Sequence, residues 1–133
     1  QIKKITLTKP NLHTRPTFDA IKAGETYTKN GANPFVHVED VARTILAAIE
    51  KPEAAGQVYN LVDYVERYTQ LARFAGEALG VEPSIDVPEP EPIECTFDCA
   101  AAKALVHEHP DFLNRGEQGL RSHFEVLAEG GEG

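Results

Sequence analysis

Two short stretches place groups able to do chemistry close together. In FVHVED, His37 stands three residues before Asp40, pairing an imidazole with a carboxylate as general acid–base chemistry does. In VHEHPDF, His107 and His109 would share one face of a strand, and Glu108 or Asp111 would complete a metal shell of nitrogen and oxygen ligands. The first stretch also has a plainer reading. Asp40 comes immediately before VARTILAAIE, where a carboxylate accepts hydrogen bonds from the free amides that open a helix, so it is expected to be an N-cap. His37, flanked by valines in a strand, is expected to be a packed, hydrogen-bonded residue first and a substrate-cleft residue second.

The remaining reactive groups are sparser. Cys95 and Cys99 are separated by three residues, where a redox pair usually has two, and no second Cys/His pair stands ready to close a zinc site. Free thiols in a reducing cytoplasm are the expectation. Ser84 and Ser122 have no hydrolase context such as Gly-x-Ser-x-Gly, which leaves nucleophilic catalysis without support. No catalytic residue and no metal site is therefore expected.

These residues must be held by alternating strands and helices. Ile5, Thr6 and Leu7 predict a strand from about Ile2 to Thr8, stopped by Pro10, which lacks a ladder donor. TRPTFDAIKAG predicts a short helix, with Pro16 in its first turn, Phe18 and Ile21 on its buried face and Gly24 as its stop. ETYTKNGANP reads as a loop with a small strand near Tyr27, and Phe35 to Val38 as a strand. A helix from about Val41 to Glu50 is expected to bury Val41, Ile45, Ala48 and Ile49, and QVYNLV to form the next strand.

Thr69 to Leu79 carries Leu71, Phe74, Ala75, Ala78 and Leu79 at helical spacing, and Gly80 follows where a left-handed cap suits glycine. The acidic VEPSIDVPEPEPIE reads as an extended connector packing Ile85, Val87 and Ile93. Asp98 can cap a helix over CAAAKALVHEH, and Asn114 with Glu117 resembles a capping box opening a last helix with Leu120, Phe124 and Leu127 inside. The fold class is α/β or α+β: a small single domain over residues 1–128 with about four helices and a few short strands, and a disordered tail at 129–133.

Composition bounds the partners. The 133 residues suffice for one core, and 41% hydrophobic with 26% charged residues is ordinary for a soluble protein. No run reaches the roughly 20 apolar residues of a membrane helix. Thirteen Lys and Arg scattered among twenty-one Asp and Glu give a formal charge of -8, which disfavours nucleic acid and anionic membranes and leaves a small molecule or a protein as partner.

Five pieces in series, FVHVEDVARTILAAIE, GQVYNLVD, YTQLARFAGEALG, FDCAAAKALVHEHPDF and GLRSHF, resemble the carboxyl half of the extended short-chain dehydrogenases, the NAD-dependent epimerase/dehydratase family. KKITLTKPNLHT resembles that family's late sheet strand, with Lys9 and Pro10 at the positions of its Arg-Pro turn beside the cofactor. The resemblance implies a substrate-binding lobe whose dinucleotide-binding half lies elsewhere, with Asn11, Asn33 and His37 as substrate-binding candidates. Asn33 stands where many members carry a phosphate-holding arginine, which points away from nucleotide sugars and toward other small carbonyl or hydroxyl substrates.

The family's cofactor and proton-transfer signatures are missing from this chain. None of its ten glycines builds a Gly-x-Gly-x-x-Gly turn, and the residues four after Tyr27, Tyr59, Tyr64 and Tyr68 are Gly31, Asp63, Tyr68 and Ala72, so there is no Tyr-x-x-x-Lys. NAD(P) is thus implied for a full-length parent and not for this chain alone. An exposed N-terminal strand would seek a homo-oligomeric partner or the missing half. A binding or interaction module that has lost the chemistry is the alternative.

Overall fold

Phe18, Ile21, Leu71, Phe74, Leu120, Phe124 and Leu127 recur at helical spacing within three segments, and these segments pack against one another to make the main core. The computed structural model describes residues 14–88, 93 and 97–130. Its elements are α1 (Thr14–Lys22), β1 (Ala32–Phe35), α2 (Val38–Glu50), a 3₁₀ turn (Pro52–Ala54), β2 (Tyr64–Arg67), α3 (Tyr68–Leu79), α4 (Ala100–Leu105) and α5 (Gly116–Ala128). The class is α+β, with five α-helices and one two-stranded antiparallel sheet among the described residues.

α1 and α3 form as their sequences predict. Gly24 takes φ +77° after α1, and Gly80 takes φ 71° as the left-handed C-cap of α3. Phe18 and Ile21 of α1 pack with Leu71, Phe74 and Ala75 of α3 and with Leu120, Phe124 and Leu127 of α5. Tyr27 joins this core, makes an isolated parallel bridge with Ile85, and shares a 2.9 Å hydrogen bond with Thr17. A second core gathers Ala47, Ala54, Ala102, Leu105, Val106, Phe112 and Leu113, with Tyr59, Leu61 and Val62 partly buried against it.

The sheet differs from expectation. β1 covers Ala32–Phe35 rather than Phe35 to Val38, and it pairs Phe35 with Tyr64 and Ala32 with Arg67. Pro34 is accommodated because, among the described residues, β1 has a neighbour on one side only, which leaves no ladder donor missing. QVYNLV forms no strand: residues 57–62 lie outside every helix and ladder, and Val58 is 80% exposed. The strand comes later, at Tyr64–Arg67.

α2 also corrects the sequence reading. It begins at Val38, three residues earlier than expected, and its buried side is Asp40, Thr44 and Ala47. The more apolar face points outward: Val38 is 70%, Leu46 58% and Ile49 75% exposed. Val41 and Ile45 are half-buried, and Ala48 is exposed. Of the connector residues, Ile85 packs on the main core, whereas Ile93 is exposed. The expected strand Ile2 to Thr8 and the last three residues of the tail lie outside the described residues.

Candidate functional site

Starting α2 at Val38 makes His37 the N-cap and moves Asp40 into the first turn. His37 has extended backbone angles, is exposed, and accepts the Glu39 N–H on Nδ1 at 3.1 Å. It is therefore neither a packed strand residue nor a neighbour of a capping Asp40. With Nδ1 accepting, the neutral ring carries its proton on Nε2, a donor facing away from the helix start. Asp40 instead lies one helical turn before Thr44 on the inward face, with its side chain fully buried.

A carboxylate without water needs compensating donors, and Asp40 has three. Its Oδ2 accepts the Leu113 N–H at 3.0 Å, while Oδ1 faces Arg115 at 3.2 Å and Arg43 at 3.4 Å. Glu39 also pairs with Arg43 and Arg115, and Asp111 bridges the same two guanidinium groups at 2.8 and 3.3 Å. The hydrogen bond from Arg43 holds the Asp111 carboxyl below its ordinary value. Burial works to lower the Arg115 value, but the Asp40 hydrogen bond and charge raise it above the ordinary one. Asp40 is committed on both oxygens and closed off from solvent, which makes it a structural anchor.

Arg115 opens α5, and its neighbourhood forms a cleft. The Arg115 and Gly116 amides donate to the two oxygens of Asp63 at 2.8 and 2.7 Å, so Asp63 satisfies the helix start that Asn114 was expected to cap. Along the first turns of α5, Arg115, Gln118, Gly119 and Ser122 fall on one face, and with His37 they line a shallow cleft of about 270 Å³. Gly119 suits that position because a Cβ there would stand 3.0 Å from the Cβ of Arg115. Gln118 and Ser122 share only a long 3.4 Å hydrogen bond, so both are spared for a visitor.

His123 is the next α5 residue. Its Nε2 shares a 2.8 Å hydrogen bond with the Thr14 hydroxyl. Burial, and then the charge of His37, lower its pKa and favour the neutral ring. A wider groove of about 570 Å³ runs between α3 and residues 81–85, edged by the opposed charges of Arg73, Glu77 and Glu82.

The other residues singled out in the sequence do not join this cleft. Asn33 lies in β1, where its Oδ1 accepts from the Tyr68 hydroxyl at 3.4 Å, and it is absent from the cleft lining. Lys9, Pro10, Asn11 and Cys95 lie outside the described residues. Cys99 is buried, with its Sγ 3.6 Å from the Val62 carbonyl. His107 and His109 follow α4 in a turn instead of sharing a strand face, and Glu108 is taken by Lys51, which also holds the Leu105 carbonyl. Among the described residues no three His, Cys, Asp or Glu side chains are grouped to hold a metal ion.

Sequence reasoning missed Arg115, Gln118 and Asp63. The first two were visible as part of a stripe at positions i, i+3, i+4 and i+7 that stays polar opposite Leu120 and Phe124. Asp63 left no local signal. No described helix is long and apolar enough to cross a membrane. Compared with known proteins, the chain matches no family model, no curated protein and no solved structure.

Proposed function

We propose that this chain is a substrate-binding lobe related to the NAD(P)-dependent epimerases and dehydratases, and that it is not catalytic alone. The observation that carries this reading is the outward apolar face of α2, where Val38, Leu46 and Ile49 stand 58–75% exposed while the polar Asp40 and Thr44 face inward. Burying an aliphatic side chain of this size stabilises an association by about 1.5–3 kcal/mol, so a helix built this way suits a second layer laid over it.

On this reading NAD(P) is held by the other half, and the described helix starts that face the cleft favour that division. Anion-binding helix starts need free amides, and here His37 already takes the Glu39 amide of α2 while Asp63 takes the Arg115 and Gly116 amides of α5. The cofactor would belong to the other half, in the reducing cytoplasm where Cys99 stays a thiol. The encoding reading frame tests the proposal. An upstream segment with a Gly-rich βαβ turn and a Tyr-x-x-x-Lys supports it, and in that longer protein Ile49→Glu should lower the melting temperature. A frame opening directly at Gln1 with no such segment would sink it.

A second reading is favoured by the cleft at His37 and α5: a small-molecule-binding module that keeps the lobe without the chemistry. A ligand that raises the melting temperature in the absence of NAD supports this reading. Complete indifference to small polar molecules counts against it.

A further inference from the structure

We infer that the cleft between His37 and α5 selects a neutral, oxygen-rich small molecule, a sugar or polyol bearing hydroxyl or carbonyl groups, over its phosphorylated or carboxylated counterpart. This rests on the second reading above, that the cleft takes a small molecule at all, and it adds the chemical class.

The argument begins with charge. An arginine and a histidine in one cleft suggest an anion site, but both terminal nitrogens of the Arg115 guanidinium already face carboxylates, and only its buried Nε has no partner among the described residues. The guanidinium faces Asp40, Glu39 and Asp111, and the same three carboxylates engage Arg43. Three carboxylates against two guanidinium groups leave the cluster one negative charge. Asp63 adds another at the start of α5. The cleft histidine, His37, accepts the Glu39 N–H on Nδ1, an arrangement of the neutral ring, and His123 behind it adds no charge because burial favours its neutral form. An entering phosphate would sit within about a Debye length, roughly 10 Å, of this excess negative charge.

The remaining lining groups are of a different kind. His37 offers an Nε2–H donor, fixed by the hydrogen bond on its Nδ1. Gln118 has both an amide donor and a carbonyl acceptor, and Ser122 has a hydroxyl that does either. Groups that donate and accept suit hydroxyls, which do the same. Gly119 leaves the floor open, and about 270 Å³ is just below the usual range of roughly 300–1,000 Å³ for drug-sized pockets, so the occupant is of monosaccharide size.

Titration of the ¹⁵N-labelled chain with D-glucose, glucose 6-phosphate and inorganic phosphate, read by amide chemical shifts, tests this. The expected result is saturable glucose-induced shifts at His37 and at residues 118–122, with glucose 6-phosphate binding at least about fivefold more weakly and phosphate causing none there. Ser122→Lys, at an exposed position, should narrow that preference by offsetting one of the two excess negative charges. Equal or tighter binding of glucose 6-phosphate by the unaltered chain overturns the inference while leaving the cleft a binding site. No shift at these residues with any of the three probes at 100 mM, roughly the weakest affinity such a site could show, overturns both.

Discussion

Asp40 accepts the Leu113 N–H at 3.0 Å across 73 residues of sequence, tying the first turn of α2 to the loop that leads into α5. Leu113 is held with φ 49°, in the left-handed region that a branched side chain rarely adopts. The hydrogen bond to a fully buried carboxylate helps keep it there. Through Leu113 the same carboxylate touches the second core, and through Arg115 it reaches the helix that completes the first.

Asp40→Ala should accordingly destabilise the chain by about 3 kcal/mol, since it strands the Leu113 amide and removes the inward counter-charge of Arg43 and Arg115. Asp40→Asn should cost less, because its carbonyl oxygen can still accept from Leu113. Urea denaturation of both variants checks the order. Equal stability of wild type and Asp40→Ala would show that the network contributes nothing.

Asp63 plays a parallel part at the start of α5. Asp63→Ala removes the acceptor from two amides at once and should cost about 1–2 kcal/mol, in the upper range of N-cap losses. The effect should be local. Amide hydrogen exchange should accelerate at Arg115 and Gly116 more than in α3, where no bond is lost.

How much of this was legible follows from where each signal resides. α1, α3 and α5 were readable because Phe18, Phe74 and Phe124 mark faces that the chain itself buries, and Gly24 and Gly80 mark two of the ends. α2 was misread because apolarity marks a face to be covered without saying by what. Val38, Leu46 and Ile49 pass the same periodicity test as a core stripe, yet Asp40, Thr44 and Ala47 are the buried side. The cap was misplaced because Glu39 and Asp40 are common helix openers, whereas an imidazole nitrogen serves the same purpose without belonging to the usual set. Asp63 was invisible for another reason. It acts across 52 residues, and helix-start rules look only a few positions back.

The half-buried His123 makes stability depend on pH. Its pKa is lowered in the folded chain, first by burial and then by the charge of His37, so the unfolded state binds the proton more readily. The contribution is therefore full above the ordinary value of 6.5 and declines as pH falls toward the lower folded value. Thermal denaturation between pH 7.5 and 5 should show a falling melting temperature, and His123→Gln should flatten that part of the slope. An unchanged slope in the variant would assign the dependence to other groups.

Tyr64 carries the last prediction. Its hydroxyl is buried and makes no hydrogen bond of ordinary geometry among the described residues, although the Glu66 carboxylate stands close enough to interact with it. Burial, with the negative charge of Glu66 behind it, pushes the phenol well above its ordinary value and keeps it protonated. The ring itself packs against the main core at the end of β2, opposite Phe35. Removing the oxygen keeps that packing and relieves an unmet polar group, a change in the direction opposite to most core substitutions. Tyr64→Phe should stabilise the chain by about 0.5–1 kcal/mol, seen as a higher urea midpoint at constant slope. A loss of stability would mean that the hydroxyl is hydrogen-bonded in solution, with water or Glu66 as the partner to look for by examining Glu66→Gln beside it.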